Sequence, residues 1–158
     1  MLVLGPSAGA VLATELGIEN CAAFDVGAGC AGFCYSLATA AGLVRSGAAK
    51  YALVVGVERL TDLLDPTDRS CAFIFADGAG AVVIGPSDVE GVGPVSWGSD
   101  GSQTTAIKQD KDFGQYFDEV AEAEATGGTS VRPYIRMNGP AVFRLSLIHI
   151  SEPTRPRL

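Results

Sequence analysis

The 158 residues carry a net charge of −7 and contain no basic block, which argues against a nucleic-acid partner held by phosphate neutralisation. Hydrophobic residues make up 47 %, aromatics 8 %, and there are 20 glycines, the composition of a tightly packed α/β protein. The apolar stretches are too short to span a bilayer and Met1 to Ala13 lacks the basic region of a secretory signal, so a reduced, cytoplasmic chain is expected.

Ser7 to Leu16 predicts a short helix from Ala8, Val11, Leu12 and Leu16, with Gly17 to close it. Cys21 to Val26 predicts a short buried strand, with Cys21 inside. Cys30 to Arg45 predicts a helix that is apolar nearly all round, the pattern of a helix buried in a larger protein, with Gly47 as its stop. Tyr51 to Val57, "YALVVGV", predicts a buried parallel strand, so that residues 21–57 form a right-handed βαβ unit. Asp65-Pro66-Thr67-Asp68 reads as a turn. Cys71 to Ala76 and Ala79 to Ile84 predict two strands joined as a hairpin at Asp77-Gly78. Val92 to Trp97 predicts the start of another strand, and Ser99 to Ser130 reads as a polar, poorly periodic excursion. "YIRMNGPAVFR" (Tyr134 to Arg144) predicts a strand, a turn at Asn138-Gly139 and a helix beginning at Pro140.

From Leu145 to Leu158 the text is "LSLIHISEPTRPRL". The apolar helix pattern stops there and two prolines block a long helix. This tail resembles the peptide translated from a sequencing adapter and is expected to be non-native. It holds His149, the single histidine of the chain, to which no catalytic part is given.

The stretch with most chemical content is Asp25 to Phe33, "DVGAGCAGF". Gly27, Gly29 and Gly32 have the Gly-x-Gly-x-x-Gly spacing of a dinucleotide-binding turn, and Glu58 follows the next strand where a ribose partner would stand. Against that reading, the turn comes after a helix instead of opening the domain, and Asp25 interrupts the preceding strand. The same glycines also permit a sharp strand-to-helix elbow that presents Cys30 as a nucleophile. At the start of a helix, free N–H groups and the positive dipole end favour a thiolate. A third reading leaves Cys30 as a small buried residue. The other cysteines are Cys21, Cys34 and Cys71. With no Cys-x-x-Cys pair and no histidine nearby, no metal site is expected.

Several motifs in order carry a resemblance: "DVGAGCAGF", "DPTDR", "FADGAGAVV", "WGSDGS" and "RMNGPAVFR". Together, over about residues 6–144, they resemble β-ketoacyl-acyl-carrier-protein synthase III, the condensing enzyme that starts fatty-acid synthesis. The resemblance implies a thiolase-like α/β fold, five-layered αβαβα in the full-length homodimer. This chain would supply the latter part of the N-terminal half (1–86), the start of the C-terminal half (87–144) and the non-native tail (145–158).

The resemblance also implies the chemistry. Cys30 takes an acyl group from acyl-CoA as a thioester, malonyl-acyl carrier protein loses CO₂, and the resulting carbanion attacks the acyl-cysteine. No cofactor is implied beyond these two substrates. Arg69 matches the arginine that contacts the CoA adenine region. Leu60, Phe75 and Met137 match positions lining the acyl pocket, with Gly139 shaping it beside Met137. Arg144 matches a basic position at the CoA and carrier-protein entrance, and Cys34 is expected to be packing. The family's histidine and asparagine, which stabilise negative charge during decarboxylation, are expected beyond the end of this text, so the chain alone is expected not to complete condensation. Before Pro6 stands Gly5, where the family places a gate for the partner's acyl pocket. Two other functions fit the same residues: a starter-unit ketosynthase or acyltransferase of a polyketide pathway, and an inactive structural fragment.

Overall fold

The computed structural model describes residues 5–151, with side chains for residues 5–145. The expectations for Met1 to Leu4, for the His149 side chain and for the last residues of the tail lie outside the described residues. Two compact units emerge, each discontinuous in sequence: Met1–Gly56 with Ala79–Val95, and Val57–Gly78 with Ser96–Leu158.

In the first unit, α1 runs Ala8–Glu15 and α2 runs Gly32–Arg45. Ser7 caps α1 by accepting the Ala10 N–H at 3.1 Å, and Gly17 follows it at φ +67°, a left-handed conformation that glycine adopts without penalty. α2 closes in the same way, with Gly47 at φ +76°. Arg45, in the last turn of α2, donates to Glu90 at 2.7 Å and to the carbonyl of Val92, placing a cation where the helix dipole is negative. β1 (Ala52–Glu58) pairs with β2 (Gly78–Ile84) in a two-stranded sheet. The first turn of α2 packs on β1: a Cβ at Gly56 would stand 3.2 Å from the Phe33 ring. Ala40, Ala41 and Val54 are the buried apolar residues of this unit among those described.

Two expectations change here. Cys21 to Val26 is not a ladder strand; it is an irregular segment that pairs with neither sheet, and Cys21 is exposed. At its end the Asp25 carboxylate binds the start of α1. The βαβ unit therefore lacks its first strand among the described residues. α2 has the expected length, and Ala40 and Ala41 on it are buried. Val92 to Trp97 is irregular.

In the second unit, β3 (Ile107–Gln109) and β4 (Ile135–Met137) pair antiparallel, with Ile107 opposite Met137, Lys108 opposite Arg136 and Gln109 opposite Ile135. α3 spans Phe113–Thr126 between them, and α4 spans Gly139–Ser151 after β4. Leu64, Cys71, Ala106 and Pro133 are buried in this unit.

The expected hairpin around Asp77-Gly78 does not form. Residues 71–74 coil in successive turns, with the N–H groups of Cys71 and Ala72 donating to the Asp68 carbonyl (3.1 and 2.9 Å) and that of Ile74 to the Cys71 carbonyl (3.0 Å). Those N–H groups are unavailable to a ladder, and β2 pairs with β1 instead. Periodicity alone does not separate a strand from a helical turn in so short an apolar run. The Asp77 carboxylate is held by the Thr61 N–H and hydroxyl at 2.9 and 2.7 Å.

Ser99 to Ser130, expected as an irregular excursion, contains β3 and α3. Asp112 and Gln115 form a reciprocal capping box at the start of α3, and Gly127 at φ +70° ends it. α4 continues to Ser151, past Leu145, where the helix pattern was expected to stop. The first of the two prolines, Pro153, lies beyond its last residue.

Candidate active site

The turn that presents Cys30 is built almost entirely from backbone. Upstream, the Asp25 carboxylate accepts the N–H groups of Ala8 and Gly9, both at 2.8 Å, which anchors the chain entering the turn to the first turn of α1. Gly9 makes the approach possible: a Cβ there would meet the Phe24 carbonyl oxygen at 3.2 Å and its nitrogen at 3.3 Å. Gly29 then adopts φ +51°, where an L side chain is strained. A 3₁₀ turn over Gly29–Ala31 follows, closed by the Ala31 N–H donating to the Ala28 carbonyl at 3.1 Å, and it runs directly into α2. Cys30 sits in the middle of this turn and is exposed among the described residues. Cys34, one turn further along, is exposed as well, whereas Cys71 is fully buried.

The remaining expected site residues all belong to the second unit. Leu60 begins a 3₁₀ turn (Leu60–Leu63) and is half-buried, as are Phe75 and Met137. Met137 ends β4 and Gly139 begins α4, so both lie at one strand–helix junction. There the Asn138 N–H donates to the Ala106 carbonyl at 2.8 Å and its side chain accepts the Ala141 N–H at 3.2 Å. Arg144 is exposed on α4.

Arg69 is exposed in a loop whose other polar side chains are bound. Asp65 accepts the N–H and hydroxyl of Thr67 at 2.9 and 2.6 Å, and Asp68 accepts those of Ser70 at the same distances. These hydroxyl and N–H bonds, and after them the Arg136 guanidinium, hold both carboxyls below the ordinary carboxylate value. Burial would raise Asp110, but the Tyr134 N–H and Arg136 outweigh it and Asp110 is lowered too. Arg136, bound by all three, is raised above the usual guanidinium value. Sequence reasoning passed over Arg136. The readable signal was an arginine inside a strand, a position that calls for a carboxylate partner.

An open cleft of about 470 Å³ bordered by Thr14, Gly17, Ile18, Glu19 and Asn20 contains none of these residues. Among the described residues no cluster of three His, Cys, Asp or Glu side chains could hold a metal ion, and no helix is long and apolar enough to cross a membrane.

Residues 24–101, which include the Cys30 turn, Leu60, Arg69 and Phe75, match the profile of the 3-oxoacyl-[acyl-carrier-protein (ACP)] synthase III family. The chain is a partial-length match to that family. It is 49 % identical over 139 residues to the mycobacterial β-ketoacyl-[acyl-carrier-protein] synthase III of Mycobacterium avium, covering 88 % of this chain and 39 % of the relative. It is 44 % identical over 147 residues to the β-ketoacyl-[acyl-carrier-protein] synthase III of Streptomyces glaucescens, covering 93 % of this chain and 42 % of that protein. The chain thus spans about 40 % of the length of the curated relatives it matches.

Solved structures agree. The priming β-ketosynthase of the R1128 polyketide pathway superposes with a TM-score of 0.84 at 41 % identity, over 95 % of this chain and 42 % of that one. The 3-oxoacyl-(acyl carrier protein) synthase III of Pseudomonas aeruginosa superposes with a TM-score of 0.74 at 34 % identity, over 94 % and 43 %. The fold is a part of the thiolase-like α/β fold, as the resemblance implied. The dinucleotide-binding alternative falls with it.

Proposed function

We propose that the chain is part of a β-ketoacyl-acyl-carrier-protein synthase III, with Cys30 as the residue that carries the acyl group. The observation behind this is an exposed cysteine at a glycine-permitted left-handed turn leading into a helix, inside the stretch matched by the family profile. In the first half-reaction the Cys30 thiolate attacks the thioester carbonyl of acyl-CoA. The bond to the CoA sulfur breaks, CoA thiolate leaves and takes up a proton, and an acyl-cysteine remains. In the second, the carboxylate of malonyl-carrier protein departs as CO₂. The freed electron pair forms the new carbon–carbon bond and Cys30 is expelled as thiolate. Arg69 would bind CoA, Leu60, Phe75, Met137 and Gly139 would line the acyl pocket, and Arg144 would meet CoA or the carrier protein. A cytoplasmic homodimer that uses no further cofactor belongs to the same reading.

Incubation of the chain with acetyl-CoA, followed by mass spectrometry of the peptides, tests this. An acetyl adduct on Cys30 that disappears in Cys30→Ala is expected; its absence would favour a purely structural part. The single histidine, His149, lies in the tail that resembles an adapter peptide, so the 158-residue chain is expected to stop at the acyl-enzyme. β-Ketoacyl product formed by this chain alone would overturn that expectation. The likeness to the R1128 priming ketosynthase favours a second reading, starter loading in a polyketide pathway. Acylation measured over a series of starter thioesters separates the two: an acetyl preference favours fatty-acid initiation, a longer or branched acyl preference the polyketide role.

A further inference from the structure

Loop 65–70 and β4 are joined by one guanidinium. Arg136 Nη1 lies 3.0 Å from Asp65 Oδ2 and 3.1 Å from Asp68 Oδ2, while its Nε donates to Asp110 Oδ2 at 3.1 Å. The Asp65 and Asp68 side chains are each only 20 % exposed. Within the loop, each of those carboxylates also binds the residue two positions on, so the backbone on both sides of Arg69 is held. Across the sheet Arg136 stands opposite Lys108, a like-charge pair that the three carboxylates offset.

We propose that Arg136 is a positioning residue for Arg69, holding loop 65–70 on β4 so that the Arg69 guanidinium is presented in one place to the anionic nucleotide end of acyl-CoA. This rests on the acyl-CoA reading above. Without Arg136, Asp65, Asp68 and Asp110 face one another uncompensated, and their repulsion drives the loop away from the strand. Arg69 follows, because it is covalently between Asp68 and Ser70. A planar fork reaches two loop carboxylates with one nitrogen and the strand-side carboxylate with another; a lysine ammonium cannot hold that spread. Binding energy that depends on Arg69 is then lost to loop freedom, whereas the chemistry at Cys30 is untouched.

The test compares acetyl-CoA with acetyl-pantetheine, which lacks the nucleotide, as donors to Cys30 in the full chain. Arg136→Met is expected to raise the half-saturating acetyl-CoA concentration about tenfold at an unchanged maximal rate and to leave acetyl-pantetheine unaffected. Arg136→Lys, which keeps the charge, is expected to fall between, and it serves if the Met variant does not fold. Arg69→Ala should match the Met variant, and the double variant should be no worse than either single one. Tryptic cleavage after Arg69 gives a readout independent of acylation and is expected to be faster in both Arg136 variants. Equal losses with both donors, or no loss with acetyl-CoA, would overturn the proposal. If the wild-type chain forms no adduct with either donor, or Arg69→Ala treats both donors as the wild type does, the acyl-CoA reading fails and takes the link to Arg69 function with it. The tryptic rate then still decides the restraint: an unchanged rate refutes it and a faster one retains it.

Discussion

The Cys30 turn and the Arg69 loop are both short, exposed segments that each present one side chain of the proposed function, yet they are held by different means. The Cys30 turn is held mostly by backbone geometry, a left-handed Gly29 and a close approach at Gly9, with one carboxylate, Asp25, accepting two N–H groups of α1. The Arg69 loop is held by side chains: two carboxylates that fold the loop on itself and one guanidinium that fixes it to β4. A nucleophile must stay exposed without a neighbour in its way, so a restraint made of main chain suits it. The loop proposed to meet an anion carries its own charges, and those charges are paired. The first kind of site should therefore break most through steric substitutions, and the second through charge.

The largest effect tests the first site at its centre: Cys30→Ala is expected to abolish acylation by acetyl-CoA, read by mass spectrometry. Next comes Gly29→Ala. A β-carbon in the left-handed region costs about 1–2 kcal/mol, and the variant is expected to unfold at lower urea and to acylate more slowly; unchanged stability and rate would mean that the turn does not need this conformation. Asp25→Ala releases the two N–H groups at the start of α1 and should cost about 1 kcal/mol in urea unfolding, comparable to the loss of a helix cap.

The smallest effect tests the second site. Asp65, Asp68 and Asp110 are lowered below 3.8, the value for a free aspartate. A carboxyl whose folded value is depressed stabilises the fold fully above the unfolded value and loses that contribution as pH falls through the folded value. The amide resonances of Thr67 and Ser70 should therefore titrate with midpoints below 3.8. Arg136→Met should move the loop midpoints upward by only part of the shift, since the Thr67 and Ser70 hydroxyls contribute more than Arg136 does. Midpoints at or above 3.8 in the wild type would contradict the charge-built loop.

Much of the local structure was readable. α1, α2, β1, β4 and the start of α4 follow from helical spacing, β-branched runs and the glycines that stop them. The capping box of α3 was readable too: Asp112 and Gln115 stand three apart before a helical run, although the polar surroundings hid it. The failures share a cause. Cys21 to Val26 and Cys71 to Ala76 are apolar runs of strand length, and a strand exists only where a partner's N–H and C=O groups are free. In one case the segment has no partner among the described residues; in the other its N–H groups close turns on Asp68 and Cys71.

The order of the motifs and the glycines around Cys30 were properties of the text, because a left-handed turn and a close backbone approach each require a residue without a β-carbon. That Cys30 is exposed, that β2 pairs with β1, and that Arg136 joins Asp65, Asp68 and Asp110 were decided only in three dimensions. Asp65 and Arg136 stand 71 positions apart, and no local pattern links them. Their pairing depends on the packing that brings loop 65–70 to β4, and a buried or half-buried charge finds its partner only once that packing exists.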